Sequence, residues 1–126
     1  MKYMLLIQQG DTPTPDSDAW AELSDEAKQG VYAAYQEVNS TAGVTAGEAL
    51  APAAMATTVR VEGGQTLTTD GPFVAVKEAL NGYLLFEADD LDAAIALAAK
   101  IPAASMGGAI EVRPIGDWSG GEWSND

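Results

Sequence analysis

Two runs constrain this chain more than any other feature: "KYMLLI" at 2–7 and "YLLF" at 83–86, apolar at every position after the first lysine. Side chains alternate across a strand, so a run that is apolar throughout is apolar on both faces. Such a strand belongs in the interior of a covered sheet. The surroundings of the two runs repeat: strand, helix signal, then a strand with one wet face.

After the first run, Ser24 can cap a helix whose positive end suits Asp25 and Glu26. Val31, Tyr35, Val38 and Ala42 follow helical spacing, and Gly43 is a natural stop. The stretch 44–56 reads as an irregular or extended crossing over the sheet. Val59 and Val61 then alternate with Arg60 and Glu62 as an edge strand, Gly63-Gly64 makes a two-residue hairpin turn, and 65–69 returns. After the second run, Asp89 or Asp90 caps a helix with Leu91, Ala94, Ile95, Ala98 and Ile101 inward, Lys100 in its last turn and Pro102 ending it. "AIEVRPI" at 109–115 alternates like an edge strand.

This order is the split β-α-β arrangement of a ferredoxin-like βαββαβ fold with an inserted hairpin arm, in the α+β class. Two helices cover one face of such a sheet. A second copy related by a two-fold axis is the simplest cover for the other, which predicts a homodimer packed sheet to sheet.

Length and composition narrow the function. At 126 residues the chain fits one domain, read as 1–116, with a flexible acidic tail at 117–126. Nineteen Asp and Glu against six Lys and Arg give a net charge of −13, which repels nucleic acid and anionic membranes. No cysteine or histidine is present, so thiolate nucleophiles, imidazole bases and imidazole metal ligands are excluded. No Gly-rich phosphate loop occurs, and no cofactor is expected. Asp11, Asp16 and Asp18 lack the central glycine and closing glutamate of a calcium loop and read as solvated; the carboxylates of 89–92 read as a helix cap. The apolar start is a strand rather than a leader, no stretch reaches transmembrane length, and the cytoplasm is the expected location.

The sharpest turn signal is Asp70-Gly71-Pro72-Phe73. Asp70 can bond backbone amides two residues on, Gly71 permits a positive φ and Pro72 fixes the next φ. Lys77-Glu78 follow. The bland reading is a turn, a core anchor and a solvated ion pair. Together with "ATTVRVEGGQTLTT" before it, "KEALNGYLLFEADDLDAA" after it and "IPAASMGGAIEVRPI" near the end, the motif resembles the DGPF-type branch of the YCII-related proteins. That resemblance implies a dimeric ferredoxin-like α/β barrel. It implies little about activity: members of the branch lack an assigned reaction, and some are encoded beside alternative sigma factors. Broader relatives have been proposed as enzymes with a His-Asp pair in a cleft at the dimer. This chain has no histidine, and it carries Ala75 where the family places a Glu.

The leading expectation is a dimeric small-molecule-binding or accessory domain, with Arg60, Asp70, Gly71, Phe73, Lys77, Glu78 and Tyr83 as ligand-binding candidates. One alternative is a lyase or isomerase acting on a small organic acid. There a partly buried Asp70 would be general base, Arg60 or Lys77 would hold the anion, and Tyr35 or Tyr83 would donate a proton. The other is a regulatory protein-interaction partner.

Overall fold

The computed structural model describes residues 1–72, 79–119 and 122–124. In chain order the elements are β1 (Lys2–Gln8), α1 (Asp18–Ala21), α2 (Asp25–Asn39), β2 (Val44–Ala49), a single 3₁₀ turn (Ala53–Met55), β3 (Thr57–Glu62), β4 (Gln65–Asp70), β5 (Leu80–Glu87), α3 (Leu91–Ala98), α4 (Pro102–Ser105), β6 (Ala109–Ile115), β7 (Asp117–Ser119) and β8 (Glu122–Ser124). β2, β5, β1 and β6 lie side by side in that order, every neighbouring pair antiparallel. This α+β architecture is compatible with the ferredoxin-like arrangement, and the two doubly apolar runs are its two central strands.

The two faces of the sheet differ in burial. Tyr3, Leu5 and Ile7 of β1 and Leu84 and Phe86 of β5 are buried with Val38, Ala94, Leu97, Ala98 and Ile101 from the helices. Leu5 pairs with Leu84 on one side and Val112 on the other, so the inward side chains form continuous rows. On the opposite face Met4 pairs with Leu85 and Leu6 with Tyr83, all four partly exposed. Arg113 and Glu111 of β6 flank these pairs on one side and Glu48 of β2 on the other.

Several expectations need correction. The edge strand beside β5 is 44–49, not 57–62. Small residues hid it, because the position demands them: a Cβ on Gly47 would run into the Leu84 side chain and lie 2.9 Å from the Tyr83 carbonyl oxygen. The Val59–Val61 alternation belongs instead to a separate β3–β4 hairpin, whose Gly63-Gly64 turn has both φ values positive (56° and 78°). α2 ends at Asn39 rather than near Gly43, because the Ser40 and Thr41 hydroxyls donate to the Gln36 and Glu37 carbonyls. The inner stripe of α3 is Ala94, Leu97 and Ala98, with Ile101 buried beyond its end; Leu91 and Ile95 are about half exposed (48% and 49%). Pro102 does not stop the chain's helical content but opens α4 from its first position, where its missing N–H costs nothing. Within the segment read as a flexible acidic tail, Asp117–Ser119 and Glu122–Ser124 pair as β7 and β8, with Trp118 opposite Trp123 in the ladder.

Candidate ligand-binding cleft

The loop after β1 is tied down by its own hydroxyls. The Ser17 hydroxyl donates to the Thr14 carbonyl at 2.7 Å and accepts from the Thr14 and Trp20 amides. Ser17 therefore closes a turn and caps α1 at once. The Asp11 amide donates to the Gly107 carbonyl, which fixes the loop to the segment before β6. Thr12 is buried behind the loop, and its hydroxyl has no hydrogen-bond partner among the described residues. The result is a rigid mount for Trp20, which is 8% exposed and meets Tyr32 of α2 edge to face, centroids 5.5 Å apart at 72°.

α2 is deepest in the core near its far end. Val38 is fully buried, whereas Tyr35 and Val31, one and two turns earlier on the same side, are partly exposed, with Tyr35 packed against the core. Beside them lies a cleft of about 280 Å³ bounded by the loop, α1, α2 and the ends of β2 and β5. Its walls are mostly apolar: Pro13, Pro15, Trp20, Val31, Tyr32, Tyr35, Leu50 and Met106. The polar side chains are few, namely Gln9, Thr12, Thr14, Asp16 and Asn81. Among the described residues Asp16 is the one charged residue on the wall, and its carboxylate accepts the Thr14 hydroxyl at 2.6 Å. A second hollow of about 180 Å³, running toward Asn39, Glu48 and Gly82, shares Tyr35, Ala49 and Asn81 with the first. Tyr35 thus stands between the two. Burial pushes its phenol pKa up, which keeps the hydroxyl protonated. Such a cleft suits a small, largely apolar guest oriented by a few polar groups.

The candidate residues from the turn motif lie elsewhere. Asp70 ends β4, is exposed and lines neither hollow. Arg60 is exposed on β3. Asp70 pairs with Thr57 and Arg60 with Leu67, so the two project from opposite faces of the hairpin. Gly71 does take the left-handed conformation, with φ of 99°. Its amide donates to the Ala56 carbonyl and its carbonyl accepts the Thr58 hydroxyl at 2.8 Å, closing the base of the arm. Tyr83, on β5 beside Leu6 and Glu48, does line the second hollow. Phe73, Lys77 and Glu78 lie outside the described residues.

Sequence reasoning did not single out Trp20, Tyr32 and Asn81, which line this cleft, and read Asp16 as solvated; Asp16 is indeed exposed and also stands on the cleft wall. A usable signal was present: serine three residues before a tryptophan, after a Pro-rich loop, is a capped anchor.

Fold and cleft define a small antiparallel α+β domain with a hollow between sheet and helix. The YCII-related domain model matches residues 1–119, and an uncharacterised protein of Rhizobium meliloti (strain 1021) is 33% identical over 124 residues, 97% of this chain and 98% of that protein. The chain belongs to the YCII-related family. No helix among the described residues is long and apolar enough to cross a membrane.

Proposed function

We propose that the protein is a homodimeric small-molecule-binding member of its family, of the DGPF-type branch, which holds its ligand in the cleft between Trp20, α2 and the sheet. The observation that carries this reading is the lining of the hollow: Val38 anchors α2 in the core, and Val31, Tyr32 and Tyr35 line an apolar hollow beside the buried Trp20. Binding without chemistry fits the residue types. The chain has no histidine or cysteine, and Asp70, the candidate base, stands exposed on the arm away from the hollow. The outer sheet face, with its Met4–Leu85 and Leu6–Tyr83 pairs, supports a second copy as its cover.

A fragment panel followed by ligand-observed NMR tests the cleft. Saturable binders are expected, and Tyr32→Leu and Trp20→Leu should weaken them while Asp70→Asn leaves them unchanged. Loss of binding in Asp70→Asn alone would move the site to the arm and revive the general-base reading.

A further inference from the structure

Resting on that cleft reading, we infer that its ligand is a small organic cation carrying an alkylated ammonium group, not an organic acid. Three aromatic rings, Trp20, Tyr32 and Tyr35, share the wall. The first two meet edge to face at 72° and so form adjacent walls of a corner. Ring faces attract cations through their quadrupole, most strongly where water is excluded. Among the described residues no lysine or arginine lines the hollow, and the one charged wall residue is Asp16. The Thr14 hydroxyl fixes that carboxylate, so the charge is oriented before a ligand arrives. An anion would meet a carboxylate and aromatic rings, with no cation opposite among the described residues. The field of a chain with net charge −13 repels it further and enriches cations at the surface.

The degree of alkylation follows from the same wall. A primary ammonium brings three N–H donors that need acceptors after desolvation. Among the described residues the polar side chains that can accept are the Asp16 carboxylate, the Gln9 and Asn81 amides and the Thr12 and Thr14 hydroxyls. A trimethylammonium head needs none, sheds water readily and presents methyl groups to the rings and prolines.

Calorimetric titration of the intact protein with choline, with its neutral carbon isostere (a tert-butyl in place of the trimethylammonium) and with benzoate tests this. Choline is expected to bind about tenfold tighter than the isostere, with benzoate weaker than both. Asp16→Asn should weaken choline several-fold and leave the isostere unchanged. Tyr32→Leu should weaken choline more than the isostere; Tyr32 is 54% exposed, so this variant keeps its fold, which circular dichroism checks. An isostere equal to choline, or benzoate tighter than choline, overturns the cation inference and leaves the cleft reading standing. No binding of any of the three overturns both.

Discussion

Backbone conformation at Gly71 and burial at Tyr35 lead to two different kinds of expected outcome. Gly71 holds φ of 99° and ties the arm's base through two hydrogen bonds. A β-branched side chain there is strained by about 1 kcal/mol or more. Yet β3 and β4 are exposed almost throughout, so Gly71→Val should open the arm locally while the melting temperature moves little. Limited proteolysis between 56 and 72 should show new cleavage in the variant. At Tyr35 burial raises the phenol pKa, so the folded state keeps a proton that the unfolded chain releases. The associated stability is complete below about pH 10 and is lost as pH climbs through the higher folded value. Tyr35→Phe removes this component. Urea midpoints measured near neutrality and again above about pH 10 should therefore fall less in the variant than in the parent protein.

At the scale of elements, two of the capped helices, α2 and α3, respond differently to loss of their caps. Ser24 accepts the Ala27 amide and Asp90 the Ala93 amide, and each cap is worth about 1 kcal/mol to alanine. α3 is locked by Ala94, Leu97 and Ala98 in the core, so Asp90→Ala should cost stability alone. The first half of α2 is the cleft wall, so Ser24→Ala should cost similar stability and also weaken ligand binding. Denaturation and titration on both variants separate the two effects. The same contrast explains what could be read from sequence. Central strands and helix starts were legible because each depends on local side-chain types: apolar runs, a serine, an aspartate. β2 was not, since its identity as an edge rests on Gly47 fitting against Leu84, a contact between residues far apart in the chain. The cleft failed to show for a related reason. Val31 and Tyr35 have the spacing of core residues, and nothing in that spacing shows that the loop carrying Ser17 and Trp20 folds over to wall a hollow beside them. Asp70 and Arg60 sit ten positions apart, a spacing that shows no convergence by itself; the hairpin register turns them to opposite faces.

For the whole molecule the decisive balance is between an oily sheet face and a large like charge. The Met4–Leu85 and Leu6–Tyr83 pairs favour association, while each copy brings a net charge of −13. Apolar burial is insensitive to moderate salt, whereas repulsion between the copies is screened within about 10 Å at 0.1 M ionic strength. The proposed dimer should therefore tighten as salt rises, the opposite of an assembly held by complementary charges. Sedimentation should show a species near twice the 13.1 kDa chain mass whose dissociation constant falls between low and moderate salt. Leu6→Glu should shift it to the single chain, because a carboxylate would be buried next to Tyr83 and Glu111, one of them already acidic. Asp70→Asn, on the arm, should leave the constant nearly unchanged. A single chain at micromolar concentration in both salts would mean that the outer face is wet or covered from within, and the two-fold packing would have to be abandoned while the cleft beneath α2 would still stand.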